Sequence, residues 1–222
     1  MEILAPFLKS LALVPLTLLP IINPLSTAPI FAATAGPDRR LAAQLARQVA
    51  INAWVVMVVS ILIGSYVLAL FGISLPVVRL GGGLLVAATA WRMLHRGDDD
   101  EVHQAAVAEA AEISRREIVQ RSFFPLTFPL TTGPGTIAAA ITLGAQIPRQ
   151  PILYLAEALI AATGAALVSL VLYVIFRNSS RVLDWLGDVG TLVMIRLVAF
   201  ILLCVGIQIM WTGWAELVAT LR

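Results

Sequence analysis

The sequence predicts an all-α integral membrane protein: six transmembrane helices in two inverted-topology three-helix repeats, the first and fourth helices broken near mid-membrane. Three observations lead there. The composition suits lipid: 59% of the 222 residues are hydrophobic, 13% are charged and mean hydropathy is +0.92, where a soluble domain carries roughly 25% charged residues. Six stretches are apolar over the roughly 20 residues that cross a bilayer. Two of them share a proline-rich motif that an unbroken helix does not accommodate.

The first span, 11–35, contains PIINPLSTAPIF at 20–31. Each interior proline deletes a backbone donor and clashes with the preceding turn, at about 3 kcal/mol. The run ends in Ala33-Thr34-Ala35, as a signal-peptide cleavage site would. It opens on Met1-Glu2 without a positive n-region, however, and outlasts an h-region of about 7–15 residues, so it is expected to remain as a span. The second and third spans are 46–71 and 75–94. The fourth, 118–145, contains PLTFPLTTGPGT at 125–136, and the fifth and sixth are 151–176 and 192–218. The connectors are short except HRGDDDEVHQAAVAEAAEISRREIVQR at 95–121. Its acidic start and basic end suit a solvated helix matched to its own macrodipole, either a cytoplasmic tether or a partner-docking helix. The chain thus divides into a first repeat at 1–94, a connector at 95–117 and a second repeat at 118–222.

Cations orient the spans. With the N-terminus outside, eleven of the fifteen Lys and Arg residues fall on the inner side, and Lys9, Arg79, Arg149 and Arg222 on the outer. Both termini are therefore expected in the periplasm. Cys204 is the single cysteine, so no disulfide forms within one chain, and His95 and His103 lie in the connector, away from any metal cluster at membrane depth.

The proline motifs are copies of each other. At an offset of 105, Pro20, Pro24 and Pro29 fall on Pro125, Pro129 and Pro134, Leu25 on Leu130, Ser26-Thr27 on Thr131-Thr132 and Ala28 on Gly133. A weaker echo pairs VVRLGGGLL (77–85) with MIRLVAFIL (194–202) at an offset of 117, and a longer connector around RNSSRVLDWLGDVG absorbs the difference. Three spans per repeat make the second enter from the opposite side, the inverted arrangement of many secondary transporters. Broken backbone at membrane depth is tolerated where protein buries it or it lines a polar cavity. Ser26, Thr27, Thr131 and Thr132 carry hydroxyls that can cap orphan N–H groups, Pro29 and Pro134 suit a first helical turn, and Gly133 and Gly135 allow close backbone approach. A carboxylate is a natural guest at such helix starts. One proline kink can be packing alone; two matched kinks with hydroxyls and glycines favour a site.

At NPLSTAPIF, PLTTGPGTIAAAI, RLGGGLLVA and RLVAFILLCVGIQ the sequence resembles the MarC family of bacterial inner-membrane proteins, which includes the SnatA-type neutral amino-acid transporters. The resemblance covers nearly the whole chain, departing at Leu25-Ser26, where members often place a glycine after the Asn-Pro. It implies six helices in two inverted halves and, for the SnatA-like members, transport of small neutral amino acids such as glycine and alanine.

Four further polar residues are candidates for coupling, since intramembrane polar groups default to function. Asn52 corresponds to Glu157 at the 105 offset. Glu157 could couple protons or pair with Arg149 at the interface. Arg79 and Arg196 could snorkel, cap freed carbonyls or touch substrate. Gly81-Gly82-Gly83 suits a close helix crossing; with no Walker pattern, a nucleotide site is not expected.

The expected function is a secondary transporter with Asn23, Ser26, Thr27, Thr131, Thr132, Gly133 and Gly135 around a small-molecule substrate, an amino acid. No cofactor, metal or nucleic acid is expected. A membrane enzyme would need a nucleophile with a base, or metal ligands, at membrane depth, and the spans supply neither. An exporter of other small polar solutes and a non-transporting scaffold or regulator are the alternatives. Direction, coupling ion and oligomeric state are left open by the sequence.

Overall fold

A computed structural model describes residues 4–36, 38–95, 122–148 and 150–220. In chain order come α1 (Leu4–Ile22), α2 (Pro24–Ala35), α3 (Arg39–Leu70), α4 (Leu75–His95), a wide-turn segment Ser122–Thr131, α5 (Pro134–Gly144), α6 (Pro151–Arg177) and α7 (Ser179–Thr220), with no strand among the described residues. Arg39–Leu70, Leu75–His95, Ile152–Arg177 and Val189–Ala219 are each long and apolar enough to cross a membrane. Leu11–Ile22 and Pro24–Ala35 make a fifth span if the pair, bent by 57°, is counted as one. Four expected spans thus recur within several residues, and the first recurs as a bent pair. In place of a continuous fourth span stand the wide-turn segment and the 11-residue α5. The connector beyond His95 lies outside the described residues.

Local chemistry sets the helix starts. Asp38 caps α3 by accepting from the N–H groups of Arg40 (2.8 Å) and Leu41 (3.4 Å). Proline occupies the first turn of α2, α5 and α6, where its missing N–H is no loss. The longer connector around RNSSRVLDWLGDVG is itself largely helical: α7 already begins at Ser179 and turns at Gly187 (φ 64, ψ 176) before its apolar span. A positive φ of that kind suits glycine.

Lipid tails are as apolar as leucine, so helix association in a bilayer relies on close packing through small residues. That is how this chain is built. Large side chains such as Leu16, Leu70, Ile152, Trp185 and Trp211 are exposed, whereas many of the buried positions are alanine. The α4–α7 crossing is tight enough that a Cβ at Gly83 would lie 2.7 Å from the Gly206 carbonyl oxygen. Gly82 meets Ala138 of α5, while Gly81 has nothing within 4 Å; the glycine run serves helix crossing at two of its three positions. On α5, Gly144 abuts the Ile61 carbonyl of α3 and Gly64 of α3 abuts Ile141. The antiparallel α3–α6 pair is pinned at two points, Trp54 Nε1 donating to the Ala162 carbonyl (3.0 Å) and the Tyr154 hydroxyl to the Leu62 carbonyl (3.2 Å). Helix α6 runs alongside α1 and α2 in the same direction: Gly164 faces the Leu11 carbonyl and Val14, and Phe176 stacks on Phe31 with centroids 4.7 Å apart.

Candidate functional site at the two helix breaks

The first break is a single residue. Asn23 adopts a left-handed conformation (φ 48, ψ 66), which asparagine visits more readily than most side chains. Its N–H closes α1 by donating to the Leu19 carbonyl (2.9 Å). Pro24 has no N–H to give the Pro20 carbonyl four residues back, so that oxygen loses its helical donor. On the other side of the break, Asn23 Oδ1 accepts from the Ser26 N–H at 3.4 Å and starts α2. The Asn23 side chain is 4% exposed, and its Nδ2 has no hydrogen-bond partner among the described residues. Carbonyl end, amide end and an unpaired amide donor therefore meet in one buried place.

Several expectations are corrected here. Pro20 and Pro29 do not break the chain: α1 winds through Pro20 and α2 through Pro29, each giving up one hydrogen bond. Pro24, not Pro29, holds the first turn of α2. The hydroxyls of Ser26 and Thr27 do not cap N–H groups but donate backwards, to the carbonyls of Asn23 (2.9 Å) and Pro24 (3.2 Å). The physical reason is that the Asn23 amide oxygen already serves as the cap.

The second break is longer. Phe124 and Phe128 are extended (φ −120, ψ 122 and φ −119, ψ 127), as residues before proline prefer, and the Phe128–Pro129 bond is cis. The backbone between them winds in wide turns. The Thr132 N–H reaches the Thr127 carbonyl (2.7 Å). The hydroxyls of Thr127, Thr131 and Thr132 donate five residues back, to the carbonyls of Ser122 (2.5 Å), Leu126 (2.6 Å) and Thr127 (3.0 Å). Thr131 and Thr132, like Ser26 and Thr27, thus satisfy carbonyls rather than the amides expected of them. Pro134 does begin α5, behind Gly133, which offers no side-chain cap. The repeat is consequently out of register in structure: α2 restarts at Pro24, whose sequence counterpart is Pro129, whereas α5 restarts five residues later.

The start of α5 lies near the end of α1. A Cβ at Gly135, in the first turn of α5, would lie 2.5 Å from Val86 Cγ2 and 3.8 Å from Ile21 Cγ2. Ile21 is two residues before Asn23. Glycine at 135 is what lets the start of α5 close against Val86 of α4, and at Gly133 a Cβ would lie 2.9 Å from the Pro129 carbonyl oxygen.

Comparison with known proteins places the chain among integral membrane proteins. The model of the MarC family, described as an integral membrane protein family, matches residues 8–218. This chain belongs to the MarC family. It is similar to the inner membrane protein MarC of Salmonella typhimurium strain LT2 (30% identity over 228 residues, 96% of this chain and 97% of the relative). It is likewise similar to the proteins of that name from Citrobacter koseri (31% over 221 residues) and Escherichia coli strain UTI89 (31% over 217 residues), with the same coverage. No solved structure matches.

In this MarC-family chain the remaining candidates fall in different places. Asn52 accepts from Gln48 Nε2 (3.2 Å) and donates to Ser122 Oγ (3.4 Å), tying α3 to the wide-turn segment that leads into the second break. Glu157 is half-buried in the second turn of α6; Arg149, its alternative partner, lies outside the described residues. Arg79 forms an ion pair with Glu216 across the α4–α7 crossing, so its charge is engaged between helices. Arg196 is exposed. Among the described residues, sequence reasoning passed over five buried hydroxyls, those of Ser122, Thr127, Thr136, Ser169 and Ser179. The five-residue spacing of Ser122, Thr127 and Thr132 was the available signal for the first two; Ser169 carries none.

Proposed function

We propose that this chain is a secondary transporter, not an enzyme, carrying small neutral amino acids of glycine or alanine size across the bacterial inner membrane. Its substrate would lie between the two breaks. The observation that carries the reading is the unpaired Asn23 Nδ2, buried beside the amide end of α2 and near the Pro20 carbonyl, which Pro24 cannot serve with an N–H. A buried amide without a partner costs about 1–3 kcal/mol, and a carboxylate relieves that cost while taking advantage of the helix start. The same break offers the carbonyl end of α1, half a negative charge in dipole terms, to an ammonium group. A zwitterion matches both.

In this reading residues 122–144 complete a sixth crossing and the halves are inverted copies. The packing supports it: exchanging the halves maps α3 against the wide-turn segment and α5 onto α6 against α1 and α2, and α4 against α5 onto α7 against α2. The α3–α6 and α4–α7 pairs map onto themselves. Rocking of one half against the other would open the breaks alternately to each side. Both termini would face the periplasm, and Glu157 is the candidate for proton coupling.

Thermal unfolding of the purified protein tests the proposal. A ligand at 100 times its Kd stabilises by about 2.7 kcal/mol, so glycine or alanine should raise Tm, and Asn23→Ala should abolish the rise. No shift with any small neutral amino acid overturns the reading, and a shift with apolar drugs alone points to efflux of other solutes.

A further inference from the structure

Ser169, in the middle of α6, is 7% exposed, and its Oγ has no hydrogen-bond partner among the described residues. Within a helix a hydroxyl has an easy solution, the carbonyl four residues back. This chain uses it repeatedly: Thr34, Thr89, Thr142, Thr163 and Thr212 each donate to that carbonyl at 2.8 or 2.9 Å. All five are more exposed than Ser169. The buried Ser169 hydroxyl, with most to gain from its own backbone, makes no such bond.

Its place in the fold follows from two anchors. Ser169 lies two turns before Phe176 on the same helical stripe, and Phe176 stacks on Phe31. Two turns before Phe31, on a chain running in the same direction, lie Asn23 and Pro24. From the other anchor, Ser169 is five residues beyond Gly164, which faces Val14, and five residues beyond Val14 is Leu19. Interpolated between these two anchors, Ser169 falls level with the stretch from Leu19 to Pro24, the last turn of α1 and the break itself. Asn23 Nδ2 and Ser169 Oγ, the two buried side-chain atoms without partners among the described residues, thus belong to the same level of the fold.

Their chemistry differs. The amide nitrogen can only donate, whereas a hydroxyl oxygen also accepts. We propose that Ser169 belongs to the substrate site and accepts a hydrogen bond from the ammonium group of the bound amino acid, alongside the Pro20 carbonyl, while Asn23 holds the carboxylate. This rests on the transporter reading above and adds to it the group that separates amino acids from plain carboxylates.

Alanine and propionate share a carboxylate and a similar carbon frame, and only alanine carries the ammonium. Binding of both to purified wild type, Ser169→Ala and Ser169→Thr, read by thermal shift and calorimetry, tests the assignment. Ser169→Ala should weaken alanine binding about tenfold or more, the effect of one hydrogen bond to a charged group. It should leave propionate affinity unchanged and the ligand-free Tm equal or higher, because an unpaired hydroxyl is gone. Ser169→Thr, which keeps the oxygen, should retain alanine binding. If wild type responds to alanine and Ser169→Ala binds it equally well, Ser169 is not in the site and the transporter reading stands. If wild type binds propionate as tightly as alanine, the ammonium subsite does not exist. If wild type responds to no amino acid, the transporter reading fails and this assignment with it.

Discussion

Neighbouring glycines on α4 should respond to the same substitution with opposite signs. In Gly83→Ala the new Cβ would sit 2.7 Å from the Gly206 carbonyl oxygen and from the Met210 backbone nitrogen. Ordinary contact begins near 3.4 Å, so α4 and α7 would have to separate by about 0.7 Å, and backbone cannot swing aside as a side chain can. Overpacking of this kind costs about 1–3 kcal/mol. Replacing an interior helical glycine by alanine returns about 0.5–1 kcal/mol through reduced chain entropy. The balance is a loss of up to about 2.5 kcal/mol, a Tm lower by as much as about 10 °C at 2–4 °C per kcal/mol. At Gly81 nothing lies within 4 Å of the added atom, so only the entropic gain remains and Tm should rise by about 1–4 °C. Thermal unfolding of both variants in one detergent, followed by fluorescence or by loss of the monodisperse peak, reads the difference directly. A Gly83→Ala protein as stable as Gly81→Ala would refute the close α4–α7 crossing and the packing logic built on it.

Thr131→Val preserves shape but leaves the Leu126 carbonyl without its 2.6 Å hydroxyl donor; a stability loss of about 1–3 kcal/mol is expected, checked by the same unfolding assay. Phe31→Ala removes a fully buried ring stacked on Phe176 and should cost about 3–5 kcal/mol, lowering the yield of folded protein as well as its Tm. The Arg79–Glu216 pair bridges α4 and α7, but its carboxylate is 40% exposed. A double-mutant cycle with Arg79→Ala and Glu216→Ala should therefore return a coupling of about 1 kcal/mol or less. Glu157→Gln should remove the pH dependence of amino-acid uptake into vesicles while leaving binding intact, and unchanged pH dependence would dismiss Glu157 as the coupling group.

Much of this protein was legible in the chain itself, and the legible part is the local part. Hydropathy is a property of each segment against its solvent, so the spans at 46–71, 75–94, 151–176 and 192–218 could be marked to within several residues. The missing N–H of proline acts within one turn, so the broken stretches could be placed at 20–31 and 125–136, and Pro134 at a helix start. What proline could not settle was which of three would end a helix. That depended on Asn23, whose left-handed backbone and capping oxygen made Pro24 the first residue of α2 and left Pro20 and Pro29 inside helices. The hydroxyls were likewise misdirected, toward amides: Asn23 already caps α2, and the wide turns at 122–131 leave carbonyls five residues back for Thr127, Thr131 and Thr132.

The remaining assignments waited for tertiary structure because they are relations between helices distant in sequence. That Gly83 is crowded and Gly81 is open depends on where α7 passes. That Arg79 meets Glu216, that Gly135 closes on Val86 of α4, and that Phe176 stacks on Phe31 are consequences of how rods cross. Lipid imposes burial on each segment separately and leaves the choice of neighbours to shape. Hydropathy and proline, which act within one segment, mark a membrane-spanning chain with two interruptions; which helices border those interruptions was left to the packing of small residues, because close crossings are relations between segments far apart in the chain.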